Sequence, residues 1–366
     1  MSPFRLAIRV LATSTLVLAA GCASFGHDRL LHDQVDYGRA LDRAQKQQTL
    51  LNMVNLRYAD APSFLPVTQI IAGYSFNGST SANLSSSNAK HAPVTGGIGG
   101  NLGFASNPTF TFTPVTGEEF AASYIRPLAP ALVLPLTQSG VPVDLLMRIA
   151  VQSIGNLQNS NALAGDANSS GSLGFFKLIA ALRRLQLQGA LTVRYQRASP
   201  EDARTEDANR VFLAIDPAHS TDAAVTADAK LAKELLRVPD SAREVEIVYG
   251  AVPEPGAKVG IVTRSVIGIL TELGAQIDVP EEDVAQHATV PTVRLLELEK
   301  RQPIVVHVGK SAPADAFVDV TSDARHYWIE RNDFESKFAF SVVQELIALA
   351  QASQSGKTPI VTIPAG

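Results

Sequence analysis

The chain has 366 residues, with 31 Lys or Arg against 35 Asp or Glu, a formal net charge of -4 and a single cysteine. Such a length allows a sizeable core and about two domains. The mildly acidic balance gives no electrostatic reason to expect nucleic acid as a partner, and a lone thiol excludes an internal disulfide. Only 18% of residues are charged against 46% hydrophobic, so part of the surface is expected to be covered by other chains, copies of the same chain being a common case.

The first segment, residues 1–21, places Arg5 and Arg9 before an apolar run from Val10 to Ala20 that only Thr13, Ser14 and Thr15 interrupt. A positive start, a brief apolar core and small residues before a cut are the parts of an export signal, and the core is too short to span a bilayer stably. Leu18, Ala19, Ala20, Gly21 and Cys22 resemble the lipobox of bacterial lipoproteins, with Ala19 where such boxes more often carry leucine. The resemblance implies cleavage before Cys22, a diacylglyceryl thioether on its sulfur and, usually, a third acyl chain on the new amino terminus. One acyl chain binds a membrane marginally, whereas two or three hold firmly. By the same resemblance Ala23, in place of the aspartate of an inner-membrane retention signal, implies the periplasmic leaflet of the outer membrane. The plainer alternative is a secreted protein whose cysteine happens to follow its signal, against which stands the reactivity of a spare thiol in an oxidising compartment.

From Asp33 to Asp60, Leu41, Ala44, Leu50, Leu51, Val54 and Tyr58 make an interrupted apolar stripe at spacings of three and four, which predicts an amphipathic helix docked on the body and ended by Pro62. Residues 66–118 differ in texture. Val, Ile, Tyr and Phe at 66–76 and the alternating Thr-Phe-Thr-Phe-Thr at 109–113 read as strands, and the Gly, Ser and Asn-rich stretch between them carries Lys90 as its one full charge. Three readings stay open: a long β-hairpin or flexible surface loop, strands that pack against other subunits or touch lipid in a ring, and a ligand-binding loop. Strands can sit in lipid only when their backbone pairs in a closed barrel. One hairpin cannot close one, but several subunits could each contribute one.

Next come a short helix at 117–130, an apolar stretch at 131–142 broken by Pro135, Gly140 and Pro142, and a helix at 143–157 lined by Leu145, Leu146, Ile149, Ala150 and Ile154. After a polar loop, a helix at 173–189 turns Phe175, Leu178, Ile179, Leu182 and Leu185 inward, with Arg183 and Arg184 near its C-terminal end. Strands are predicted at 190–197, 210–215, 244–250, 303–308, 316–320, 326–330 and 359–364, and helices at 222–238, 263–276 and 333–353. Without a regular βαβ rhythm this predicts an α+β fold rather than a doubly wound one. The domain expectation is a signal at 1–21, a region at 22–188 holding the tether, amphipathic helix, neutral β-hairpin and helical layer, and a mixed-sheet α+β domain at 189–366.

No GxSxG elbow aims a serine, and the lipobox resemblance implies that the one cysteine is consumed by lipidation. The seven histidines form no HExxH helix or close pair, and His307 within VVHVG reads as a strand residue. GAVPEPGAK at 250–258 and VGKS at 308–311 lack the order and glycines of a phosphate cradle. The pairs Glu281/Glu282 and Asp333/Glu335 read as solvated faces or caps, with Asn332 or Asp333 capping the last helix, and Trp328 as packing. No catalytic residue, metal or cofactor is therefore expected.

The blocks LLNMVNLRYADAPSFLPV, FTFTPVTGEEF, LPLTQSGVPVDLLMR and YWIERNDFESKFAFSVVQEL resemble uncharacterised proteobacterial outer-membrane lipoproteins, a resemblance that implies a class and no activity. The expectation is a non-enzymatic outer-membrane lipoprotein, held in the bilayer through Cys22, assembling with itself or with envelope partners such as a secretion or export apparatus. The alternatives are a periplasmic enzyme with a site built from distant residues, marked by a pocket with buried Asp, Glu or His, and a membrane-tethered ligand-binding module, marked by a deep apolar pocket.

Overall fold

A computed structural model describes residues 25–65, 67–71, 74–85, 95–106, 109–112, 114–161, 170–197, 209–217, 222–250, 258–293, 299 and 301–352. Cys22, the export segment and the strand expected at 359–364 lie outside the described residues. The fold is α+β, as expected, and the chain forms two compact units, one of residues 64–115 and one of the remainder.

The larger unit begins with α1 (Phe25–Arg57). Its buried residues Leu50, Met53 and Val54 sit three and one positions apart, so one stripe meets the body. The helix stops at Ala59, whose φ of 62° turns the chain and lets Asp60 N donate to Asn55 O at 2.8 Å. Gly274, at the end of α7 (Val266–Gly274), lies so close to α1 that a Cβ there would be 2.6 Å from the Met53 carbonyl oxygen. Only glycine allows that approach.

The central sheet runs in the order β6 (Leu157–Gln158), β5 (Val151–Ile154), β10 (Lys258–Thr263), β9 (Glu244–Tyr249), β8 (Arg210–Ile215) and β7 (Leu191–Gln196), with β9 and β10 parallel and the other neighbours antiparallel. Alternate residues on one face, among them Val193, Leu213, Ile247 and Ile261, form a core with α5 (Leu173–Leu187) and α6 (Ala223–Leu236). All five residues expected to face inward from α5 are buried. Ser172 caps α5 by accepting from Phe175 N, and Asp222 caps α6 by accepting from Ala224 N, each satisfying an amide the first turn leaves open.

Two features depart from the sequence reading. After the short helices α2 (Gly117–Phe120) and α3 (Pro130–Val133), the helix expected at 143–157 ends early: α4 covers Val143–Ala150 and the chain continues as β5. Its last carbonyls find partners from afar, since the Asn159 amide donates to Met147, Arg148 and Val151 oxygens and the Arg264 guanidinium to those of Arg148 and Ile149. With its end satisfied, the β-branched Val151 and Ile154 are released to pair with β10. The second departure is the boundary expected at 188/189. The central sheet takes β5 and β6 from one side of it and β7 to β10 from the other, so residues 143–187 and 191–263 share one core.

The rest of this unit is a three-stranded antiparallel sheet in the order β11 (His307–Gly309), β13 (Arg325–Ile329), β12 (Val318–Ser322), followed by α9 (Phe334–Ala352). Helix α1 packs on β12, β13 and α7, while α9 packs on α4 and α7. Among the described residues no single helix is long and apolar enough to cross a membrane; a bent pair, Gly117–Ile125 and Pro130–Thr137, passes that test by composition, but its Tyr124, Val133 and Leu134 are buried.

The unit of residues 64–115 holds two antiparallel pairs. β1 (Val67–Ile71) pairs with β4 (Thr109–Phe112), with an irregularity between Val67 and Gln69. β2 (Tyr74–Ser85) pairs with β3 (Thr95–Ser106) without a break, from Tyr74↔Ser106 to Ser85↔Thr95.

Candidate functional site

Two kinds of site stand out: the long β2–β3 pair, and the polar clusters of the larger unit. Each strand of the pair has 12 residues, and neither contains a charged residue. Strand residues alternate between faces, so the register sorts the two sequences. One face receives Tyr74, Phe76, Ala82 and Leu84 of β2 with Ile98, Leu102 and Phe104 of β3, plus Gly and hydroxyl residues. The other receives Ser75, Asn77, Ser79, Ser81, Asn83 and Ser85 opposite Ala105, Gly103, Asn101, Gly99, Gly97 and Thr95. Ser79, Ser81, Gly99 and Asn101 on this second face are exposed, and the Ser81 hydroxyl donates to Gly99 O at 3.4 Å. Among the described residues each strand has one strand partner, and neither outer edge joins a second ladder. Long uncharged edges of this kind invite further strands.

The polar clusters of the larger unit tie distant elements together. On α1, the buried Arg57 donates to Ile277 O at 3.2 Å, Thr289 Oγ1 at 2.7 Å and Thr292 Oγ1 at 3.2 Å. Next to it the Tyr58 hydroxyl donates to Asp283 Oδ2 at 2.8 Å and accepts from the Tyr327 hydroxyl at 3.0 Å. Arg325 binds Asp283 and, at 2.8 Å, Glu282. The Arg325 bond, with the Tyr58 hydroxyl, holds the Asp283 carboxyl below the usual range. Burial first, then the Tyr327 and Asp283 bonds, raises the Tyr58 phenol. The Tyr58 hydroxyl and the Arg325 guanidinium thus meet on one carboxylate, which ties the end of α1 to α8 (Glu281–Ala285) and β13.

Two further arginines act in the same way. Arg264, buried and 3.6 Å from the buried Glu272, spends its guanidinium on the end of α4 and on Ser160 O. Arg301 binds Asp333 at 2.6 Å, Glu335 at 2.9 Å and the Ser336 hydroxyl at 2.8 Å. Asp333 is the cap of α9, accepting from Ser336 N at 3.1 Å and from its hydroxyl at 2.6 Å. Burial alone would raise the Asp333 carboxyl, but the Arg301 and Ser336 bonds bring it down to about 2.

The residues singled out from the sequence therefore separate. Asp333 and Glu335 share Arg301, Glu282 pairs with Arg325, and Glu281 stands exposed on the rim of an open cleft of about 810 Å³ with Asp278, Val284, Pro291, Thr292 and Gln302. Both carboxylates of this cleft, Asp278 and Glu281, are exposed, while the buried ones, Glu272 and Asp283, face arginines elsewhere. His307 stacks on Trp328 with ring centroids 5.6 Å apart. The indole also crowds Gly309, where a Cβ would be 3.1 Å from the ring, and donates to Glu330 at 3.2 Å. Among the described residues no group of three or more His, Cys, Asp or Glu could hold a metal ion.

Arg57, Arg264 and Arg325 were not visible as site residues in the sequence, because the groups they bind lie far along the chain, Glu272 beside Arg264 excepted. The only local sign was their position at the edge of an apolar run. No family model, curated protein or solved structure matches this chain.

Proposed function

We propose that the chain is a non-enzymatic lipoprotein of the outer membrane, held at the periplasmic leaflet through Cys22 and serving as a structural component of an envelope assembly such as a secretion or export complex. The observation that carries this reading is the uncharged β2–β3 pair, whose outer edges join no further strand among the described residues. An isolated two-stranded pair is marginally stable in water, so twelve-residue strands without a charge call for neighbours. The lipobox-like segment ending in the only cysteine supports the place, because an anchored chain meets its partners at the membrane surface. The arginine locks of the larger unit support a scaffold role, since they fix elements to one another and leave their acids engaged.

The test combines place and assembly. Mass spectrometry of the protein from cells is expected to find an acylated peptide that begins at Cys22, and Cys22→Ser is expected to release the chain into the soluble periplasm. Deletion of residues 77–107 is expected to abolish the multimer recovered in detergent while the larger unit keeps its unfolding midpoint. An unmodified thiol at Cys22, or an assembly unaffected by the deletion, refutes the reading.

A further inference from the structure

We infer that β2–β3 is one protomer's share of a closed, membrane-embedded β-ring built from copies of this chain. The inference rests on the reading of a chain held at a bilayer, and deepens it by naming the partner at each strand edge. Its first support is the sorting of residues by register. By register Tyr74, Phe76, Ala82, Leu84, Ile98, Leu102 and Phe104 share one face with Gly78, Thr80, Gly96, Gly100 and Ser106, while the other face holds Ser, Asn, Thr and Gly positions and Ala105. The large apolar residues thus all fall on one face, as in strands with lipid outside and a wet lumen inside.

Length is the second support. Strands of 12 residues extend to about 40 Å and, tilted by about 45°, span about 28 Å, close to the ~30 Å hydrocarbon layer. Tyr74, Phe76 and Phe104 gather at one end of the apolar face, where aromatic residues mark the membrane boundary in such barrels.

The edges identify the occupant. A bilayer core has no water to satisfy the outer amides and carbonyls of β2 and β3, so those edges must be paired. A second copy does this without changing the pattern: β3 of one protomer runs antiparallel to β2 of the next, and the ladder repeats head to tail until it closes. Neither edge carries the charge or proline that commonly blocks such pairing. Closed membrane barrels begin at about eight strands, so at least about four copies are needed.

The experiment uses the full-length acylated protein extracted in detergent, its mass measured by light scattering and its conductance in planar bilayers, with wild type beside Ala82→Lys and Ser81→Lys. The expected result is a conducting multimer for wild type, at least tenfold less conductance with loss of the multimer for Ala82→Lys on the apolar face, and a conducting multimer with selectivity shifted toward anions for Ser81→Lys. An unchanged unfolding midpoint of the larger unit in both variants shows that each chain has folded. A wild type that is acylated yet migrates as one chain overturns the ring while leaving the anchor standing, as does equal behaviour of the two lysine variants. An unmodified Cys22 in a conducting multimer supports the ring and overturns the anchor instead.

Discussion

On the face of the central sheet turned away from α5 and α6, Arg194 reaches Glu244 through bonds of 2.6 and 2.9 Å, Arg210 reaches Glu246 through two of 2.7 Å, and Lys258 approaches the same Glu246 at 3.3 Å. The aromatic Phe212 between them lies under the guanidinium groups of Arg194 and Arg210, at 4.1 and 4.9 Å from its centroid. On β2–β3 no such charge exists to cover Tyr74, Phe76 or Phe104. One protein therefore contains a strand surface finished for water and another left without that finish. Charged stems can shield apolar surface while their heads stay hydrated, and the second pair of strands has none in its sequence.

If the two regions answer to different surroundings, lesions in one should be silent in the other, and the largest effects lie in the core behind the charged sheet. Phe175→Ala, at a fully buried position, is expected to lower the stability of the larger unit in urea by about 4 kcal/mol without changing the multimer. Arg264→Met is expected to cost about 3 kcal/mol, because it removes the cation beside buried Glu272 and leaves the end of α4 short of donors. Adding Glu272→Gln should recover part of that loss in the same titration.

Asp333→Ala is expected to cost about 2 kcal/mol through the lost cap and the lost Arg301 bond. Its pH dependence has a definite sign. With a folded value of about 2 and an unfolded value near ~3.9, the carboxylate stabilises the fold fully above ~4, and the contribution disappears as the pH falls toward 2. Unfolding midpoints between pH 5 and 2 should therefore fall less steeply for Asp333→Asn than for wild type. The smallest effect belongs to the water-facing ladder: Arg194→Gln is expected to leave the midpoint unchanged at moderate salt, because exposed pairs contribute little. A large drop there would break the comparison, since it would mean that the face is covered.

The parts of the fold that local pattern could reveal are those whose burial follows from their own spacing. The stripe of α5, the apolar run Val211–Ile215 and the cap at Asp333 are of this kind. The apolar run misled at 303–308, where Ile304 and Val306 are buried yet only His307–Gly309 joins a ladder, because burial and pairing leave the same mark in sequence. β10 went unseen because its short run follows a glycine and proline-rich segment, although it lies inside the central sheet. The arginine locks were illegible for a simpler reason. Arg57 and Thr292 are 235 positions apart, and Tyr58 and Tyr327 are 269 apart, distances over which no spacing rule operates.

The end of α4 illustrates what that separation means for a nascent polypeptide. Arg264 stands 116 positions beyond the Arg148 carbonyl it holds, and β5 pairs with β10 across a similar interval. Closing so wide a loop is slow compared with forming a local helix. A chain emerging amino end first thus cannot complete its central sheet until Thr263 has appeared, so β5 waits for its inner partner strand through the synthesis of every residue that lies between them.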